Sequence, residues 1–445
     1  MSGGEPLHGV EEAREAVLAR VAAPNGVETV PTADALGRVL ARDVAAAVTL
    51  PPWDNSAMDG YAILAADVAG AAEGAPARLE VVGEVPAGGV AKEQVRHGSA
   101  IRIATGAPIP PGADAVVPVE LTTPLDAEGV AGPRGRDAVG PVPAAILVHA
   151  PVAGGQHVRR RGGDLVAGAT ILTVGAGVTP AAVALASGAG LASLEVFRVP
   201  RVAVLATGNE VRAAGTDLGD AGIPDANGPG LRALVAASGA TPVDLGIAPD
   251  ELDDVVGRLR AALEQGVDAI VVAGGVSVGP YDVVKLAFEA VGEMGLWRVA
   301  VQPGKPFAFG TAPRPGGGQA LLFGLPGNPV SSFVTFELFV RPAIRALAGR
   351  RDLLRPVDRA VLLDEVRTAP GRRAFLRVTA ERDADGSPSR DDAGRVRLRL
   401  SHGPAGQGSH VLSALAAADG LAVVAEEIET HRAGDPVAMW WLDPA

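Results

Sequence analysis

The sequence predicts a multidomain α+β protein centred on a three-layer α/β unit with a parallel sheet, flanked by β-rich segments. Three observations carry this expectation. Between about 198 and 347, short apolar runs alternate with helical periods, the pattern of parallel strands joined by crossover helices. Residues 79–120, and the chain beyond 355, are instead short strand-like runs separated by Gly- and Pro-rich turns. At 445 residues the chain exceeds what one hydrophobic core usually serves.

The elements follow in order. Val10, Ala13, Val17 and Val21 share one helical face, so 10–21 reads as an amphipathic helix. A second helix is expected over Thr32–Ala41 with Thr32 as its N-cap. Pro51 and Pro52 then forbid regular structure in TLPPWDNSAMDGYAI, and the β module follows. Residues 121–147 are poor in large apolar side chains and rich in Gly and Pro, reading as a mobile loop or hairpin extension of that module. From Leu165 to Leu194 there are 30 residues without a charge, long enough to span a bilayer. Their Ala and Gly content and the central Pro180 favour a buried strand–turn–helix instead.

In the α/β unit, 202–207, 243–247, 269–275 and 320–327 read as buried parallel strands. Leu231, Leu234 and Val235 mark a helix ending at Gly239, and Leu252, Val255, Val256, Leu259 and Leu263 mark another after Asp250. Asn328 and Pro329 suit the N-cap and first position of a long helix. The tail strands RAVLLDEV, RRAFLRV, RVRLRL, GLAVVAE and DPVAMWW suggest a small barrel or sandwich, with Arg395, Arg397 and Arg399 on a solvated face.

Composition excludes several functions. There is no cysteine, hence no disulfide framework, thiolate zinc site, protein-held iron–sulfur cluster or cysteine nucleophile. Lys and Arg number 39 against 51 Asp and Glu, a net charge of −12, which argues against a nucleic-acid partner. The first twenty residues carry carboxylates where a signal peptide needs a basic head and an apolar run. A cytoplasmic protein with no membrane partner is expected.

Three loops directly after strand ends are the first candidate site: Thr207-Gly208-Asn209-Glu210, Gly274-Gly275-Val276-Ser277-Val278-Gly279 and Gly324-Leu325-Pro326-Gly327-Asn328-Pro329. Ligands of open parallel sheets bind outside the carboxyl ends of the strands, where N–H groups and helix N-termini favour anions. No G-x-x-x-x-G-K-[ST] is present, Pro303-Gly304-Lys305-Pro306 is not one, and no G-x-G-x-x-G follows a strand. Gly275–Gly279 does match the G-x-S-x-G nucleophile elbow, so a serine hydrolase using Ser277 is a rival reading. Pro280 and Asp282 start the helix several residues after Ser277, and His402 and His410 lie in the β-rich tail, which weighs against it.

Asp54, Asp59, Asp164, Glu210, Asp225, Asp250 and Asp282 stand in loop contexts and suit Mg²⁺ shared with a phosphorylated substrate. Each is alternatively a cap or turn residue, Asp250 and Asp282 above all. Arg159-Arg160-Arg161, Arg102, Lys285 and Lys305 are the opposite charges, either solvated surface or a local phosphate clamp.

These segments together resemble a known family. PPWDNSAMDGYAI (51–63), RIATGAPIPPGADAVVP (102–118), VRRRGGDL (158–165), LATGNEV (205–211), GGVSVGPYD (274–282), PGKPFAFG (303–310) and GLPGNPVSS (324–332) resemble the molybdopterin molybdenumtransferases, the MoeA and gephyrin E-domain family. The tail GSHVLSALAAADGLAVV (408–424) resembles its last domain. The resemblance runs in order along nearly the whole chain, with 121–147 the main unmatched region. It implies an elongated, four-domain homodimer. The domains are a discontinuous first domain (8–50 and 148–197), an inserted β module (51–147), a molybdopterin-binding α/β domain (198–347) and a C-terminal β-barrel domain (355–445).

The implied reaction takes adenylylated molybdopterin and molybdate, with Mg²⁺, releases AMP and leaves molybdenum on the dithiolene. Family sites lie between the α/β domain of one subunit and inserted segments of the other. A molybdopterin adenylyltransferase and molybdoenzymes are the implied partners. Carried over residue by residue, Asp59, Thr105, Asp164, Glu210, Asp250, Asp282, Pro303 and Pro306 match functional positions of the family. With the loop residues, the expected set is catalytic Asp59, Thr105 and Glu210; metal-holding Glu210, Asp225 and Asp282; and substrate-binding Asp164, Arg160, Gly208, Asp250, Gly274, Gly275, Ser277, Pro303, Pro306, Pro326, Gly327 and Asn328. Sequence leaves open whether Glu210 or Asp59 is metal ligand or general base. Lys285 and Lys305 are added as phosphate or molybdate contacts. Asn209 departs from the Asp common in the family, and Asp225-Ala226-Asn227 only loosely follows its D-x-N form. A non-catalytic molybdopterin-binding scaffold and the adenylyltransferase step are the other readings the resemblance leaves open.

Overall fold

The structure is a computed structural model that describes residues 7–22, 24, 26–135, 140–275 and 283–442. Its centre is the α/β sheet, in the order Thr241–Ala248, Arg201–Thr207, Ala269–Ala273, Gln319–Leu325, Pro306–Pro313, Glu293–Arg298. The first four strands are mutually parallel, as their apolar runs imply. The sheet is not parallel throughout: Pro306–Pro313 runs antiparallel to both its neighbours and ends the sheet in a meander. The Thr241–Ala248 strand is only partly buried, because at the sheet edge it has one neighbour. One face packs against Leu231 and Val235 of the Asn227–Ala237 helix, the other against Val255, Leu259 and Phe288 of Leu252–Glu264 and Val283–Val291. Three layers result.

The β module forms a second sheet, ordered Ala115–Pro118, Gly60–Ile63, Ser99–Ile103, Ala77–Val85, Ala145–Val148, Thr122–Leu125. Its last two strands, at the two ends of the 121–147 segment, pair in antiparallel register from Thr122–Val148 to Leu125–Ala145. The chain entering and leaving the module runs side by side. Val27–Pro31 pairs with Ser193–Phe197, Val44–Ala45 with Thr170–Leu172, and Asn55–Ser56 with Val158–Arg159. The uncharged run holds the Thr170–Leu172 strand and the Pro180–Gly188 helix capped by the Thr179 side chain, and ends in the first two residues of the Ser193–Phe197 strand. No helix among the described residues is long and apolar enough to cross a membrane.

Two expected features differ. The helix expected over Thr32–Ala41 is a single 3-10 turn, Thr32–Asp34. Gly37 adopts φ +78°, and Val39 and Leu40 bridge to Gly177 and Val196, so tertiary pairing displaces helix. The Thr32 hydroxyl donates to the Leu191 carbonyl at 2.7 Å instead of capping. The Val10–Ala19 helix forms as expected, but Val10, Ala13 and Val17 pack into the α/β core.

The tail closes into a five-stranded barrel: Arg373–Ala380, Val396–Leu400, Val357–Leu362, Pro436–Trp441 and Gly420–Val424, which returns to Arg373–Ala380. Val301–Gln302 pairs with Arg373 and Ala374, tying the barrel to the α/β unit. Arg395, Arg397 and Arg399 pair with Asp391, Glu381 and Asp364, a solvated charged face.

Candidate active site

A cleft of about 990 Å³ opens at the carboxyl ends of three adjacent parallel strands, Arg201–Thr207, Ala269–Ala273 and Gln319–Leu325. The loops that follow them are laced together. Gly208 N–H donates to the Ala248 carbonyl at 3.2 Å, and Gly274 N–H to the Leu325 carbonyl at 3.1 Å. Glycine is required here by geometry. Gly274 adopts φ +105°, and a Cβ would lie 2.5 Å from the Thr207 carbonyl oxygen. Gly208 adopts φ +146°, with both Glu210 carboxylate oxygens 2.9 Å from where a Cβ would stand. Backbone thus approaches the ligand space where a side chain would close it.

The cleft is also acidic. Glu210, Asp225 and Asp250 line the cleft. Glu210 and Asp225 are set by the short parallel pair Val211–Arg212 and Ile223–Pro224: Ile223 N–H donates to the Glu210 carbonyl at 2.8 Å, and Asp225 N–H to Arg212 at 2.7 Å. Asp225 Oδ1 accepts from Gly228 N–H at 2.9 Å. Asp250 is not a helix cap, since the Leu252–Glu264 helix is entered through Glu251. Its N–H donates to Asn209 Oδ1 at 3.2 Å, and its Oδ2 accepts from Asn209 N–H at 3.4 Å.

The cleft brings together Gly208, Glu210, Asp225, Asp250, Gly274, Gly275, Pro306, Pro326, Gly327 and Asn328 from the sequence-derived set. Sequence reasoning missed the apolar lip of Ile223, Leu252 and Leu286, all exposed. It also missed Asn227, whose Nδ2 donates to the Gly327 carbonyl at 2.7 Å and aims that loop. The D-x-N form at 225–227 was the available signal for Asn227; an exposed apolar residue at a helix start leaves none. Neither Lys285 nor Lys305 lines the cleft: Lys285 is exposed on the Val283–Val291 helix, 3.9 Å from Glu289. Ser277 and Asp282 lie outside the described residues.

Pro303 lines a second cavity, of about 280 Å³, between the sheet and the barrel. Its floor includes Arg377, 1% exposed, whose Nη2 donates to Gly406 and Gly408 carbonyls at 2.8 and 3.1 Å. The Arg377 Nε has no partner, and burial without a counter-charge pushes the guanidinium down to about 10.

The remaining candidates gather on the β module and its entry strands. Asp59 Oδ1 accepts from Thr105 N–H at 2.7 Å. Asp54 accepts from Arg161 N–H at 2.8 Å and pairs with Arg160 at 2.6 Å. These donors, Arg161 N–H first, hold the Asp54 carboxyl below the usual carboxylate range. Asp59, Thr105, Arg160 and Asp164 are exposed, and none lines the cleft.

A magnesium ion is implied by the resemblance, and the donor chemistry fits one shared with substrate. Among the described residues no group of three His, Asp or Glu side chains is placed to hold a metal by itself. Glu210 and Asp225 on one rim supply two hard oxygen donors, the number Mg²⁺ takes when phosphate and water complete its shell.

The chain is 38% identical over 423 residues to a curated molybdopterin molybdenumtransferase 2 of Mycobacterium tuberculosis, covering 93% of this chain and 95% of that protein. It belongs to the molybdopterin molybdenumtransferase family. A second member, from Haemophilus influenzae, is 32% identical over 97% of each chain. The crystal structure of a molybdopterin biosynthesis MoeA protein from Pyrococcus horikoshii superposes with a TM-score of 0.77 at 28% identity, over 98% of this chain and all of that one. Family models match in order: the MoeA N-terminal region (domain I and II) over 8–190, the probable molybdopterin binding domain over 203–346, and the MoeA C-terminal region (domain IV) over 359–442. As a molybdopterin molybdenumtransferase-family member the chain is an enzyme, a transferase of molybdenum-cofactor biosynthesis. Every cleft residue named above falls within the middle match, and Asp59, Thr105, Arg160 and Asp164 fall within the first.

Proposed function

We propose that the protein inserts molybdenum from molybdate into adenylylated molybdopterin, releasing AMP, and that the cleft holds the adenylylated substrate. The observation that carries this is one cleft lined both by the glycine-bearing loops after the strands and by the carboxylates Glu210, Asp225 and Asp250. Gly274, Gly275, Gly327 and Asn328 offer close backbone approach to the substrate's phosphates without adding charge. Glu210 and Asp225 would hold Mg²⁺ against those phosphates. The ion supplies charge neutralisation and Lewis-acid polarisation when bound. The apolar lip of Ile223, Leu252 and Leu286 covers one side of a flat heterocycle and excludes water.

Molybdate is a dianion, and the second cavity is lined by Arg377, a cation that no carboxylate neutralises. Pro303 lines this cavity and Pro306 the cleft, so one short segment borders both spaces. Soft molybdenum finds its thiolates on the substrate, so a chain without cysteine is no obstacle. Asp59, Thr105, Arg160 and Asp164 are exposed and none lines the cleft, which suits a homodimer in which they complete the partner's cleft.

The test is AMP release from adenylylated molybdopterin by the purified protein. Release that requires both molybdate and Mg²⁺ supports the reading. Release indifferent to both, or binding without turnover, overturns it, the second outcome pointing to a scaffold.

A further inference from the structure

The helix that leaves the cleft also holds the root of the barrel. It starts at Pro329, next to the cleft residue Asn328, and reaches Leu347 with one π-helical turn, Phe336–Val340. A Cβ on Gly304 would lie 2.6 Å from Thr335 Cγ2, so the segment bordering both cavities rests directly on this helix. A π turn inside an α-helix frequently marks a functional position. Here it carries Glu337, whose side chain is 1% exposed. The two Glu337 carboxylate oxygens accept from Arg355 Nε and Nη2, both at 2.9 Å, and Arg341 Nε lies 3.5 Å away. Arg355 stands in the linker between Leu347 and the first barrel strand, Val357–Leu362. Its Nη1 donates to the carbonyl of Leu442, just after the last barrel strand, Pro436–Trp441. Arg345 of the same helix holds the linker a second time, at Asp352.

We propose that Glu337 and Arg355 are positioning residues that lock the barrel on the α/β unit and so set molybdate affinity in the second cavity. A bidentate carboxylate–guanidinium pair fixes direction as well as distance, which apolar packing does not. The second cavity is built from both bodies, Gln302 and Pro303 on one side and Phe375, Leu376 and Arg377 on the other. A turn of the barrel therefore moves Arg377 against Pro303. Among the described residues the cleft is lined by the α/β unit alone, so nucleotide binding is spared.

This inference rests on the placement of molybdate in that cavity, and the experiment separates the two. Molybdate and AMP affinities are measured by calorimetry on wild type, Glu337→Gln, Arg377→Met and the Glu337→Leu/Arg355→Met double variant. Because the chain has no cysteine, spin labels at Glu264→Cys on the α/β unit and Arg359→Cys on the barrel report the angle between them in each background. The double variant removes both charges together, so its Tm is expected to stay near that of wild type. Its label distances are expected to broaden and its molybdate affinity to fall about tenfold, with AMP affinity within about twofold of wild type. Glu337→Gln is expected to do the same with a lower Tm, since it strands the Arg355 charge. Unchanged label distances, wild-type molybdate affinity in the double variant, or molybdate and AMP affinities lost in step would each overturn the lock. Undiminished molybdate binding by a folded Arg377→Met protein, with distances still broadened in the double variant, would instead sink the placement of molybdate and leave the lock standing.

Discussion

The two places where site residues gather are built on opposite principles. The cleft of the α/β unit is made of backbone: three strand ends, glycines in conformations closed to other residues, and carbonyl–amide ties between the loops. The cluster around Asp59 is made of side chains on the surface, and its charges are already answered locally, Asp54 by Arg160 and Arg161, Asp59 by Thr105. A cavity defined by backbone is rigid and offers binding; exposed side chains tied one to another offer chemistry only when something is brought to them. Binding is therefore expected to fail with the first region and turnover with the second.

The strongest way to break this contrast is Gly274→Ala. Its Cβ would meet the Thr207 carbonyl at 2.5 Å and hydroxyl at 2.7 Å in a backbone conformation unsuited to alanine. The expected cost is on the order of 3 kcal/mol, with AMP binding and AMP release both reduced about a hundredfold or more. Calorimetry with AMP checks it. Equal binding by this variant would show that the glycine rim does not carry the phosphates.

Next is Asp59. Asp59→Asn keeps an acceptor for Thr105 N–H and removes the charge, so the fold and AMP binding should survive while AMP release falls roughly a hundredfold. A variant that loses binding in step with turnover would erase the distinction between the regions.

A smaller effect is expected from Asp54→Ala, which frees Arg160 and the Arg161 N–H. The pair is largely solvated, so thermal stability should move by less than about 1 kcal/mol. KM should instead become more sensitive to salt, measured between low and high ionic strength.

The smallest concerns the barrel, which serves as a control outside both regions. His431 is 1% exposed, its Nε2 has no partner, and burial lowers it below its ordinary 6.5. The folded chain then binds fewer protons than the unfolded chain, so this residue's contribution to stability falls as pH drops through 6.5 towards the folded value. His431→Leu should reduce the acid-side loss of Tm by about 2 °C, read by thermal scans from pH 7 to 5, with no change in AMP release at pH 7.5.

Much of the cleft was legible because a run such as 202–207 has no alternative to a buried strand, and Gly directly after it fixes where the loop turns. The antiparallel end of the sheet was not: 306–313 mixes Pro, Gly and Thr with its apolar residues, so it lacks the continuous apolar run that marks a buried parallel strand. Thr32 had every local feature of a cap, yet Val39 and Leu40 gain more by pairing across the entry strands than a short helix could return. The same limit applies to Lys305. Its charge and motif placed it with the phosphates, but the chain turns so that Pro306, not Lys305, meets the cleft.

The first helix has a consequence for how the units hold together. Val10, Ala13 and Val17 are buried against a core that includes Phe336, Leu338 and Leu347, and Glu11 is paired with Arg373 of the barrel. A segment more than 300 residues away in sequence thus completes the α/β core and reaches the barrel. Its detachment would bare a contiguous apolar patch on the α/β unit, a surface prone to association.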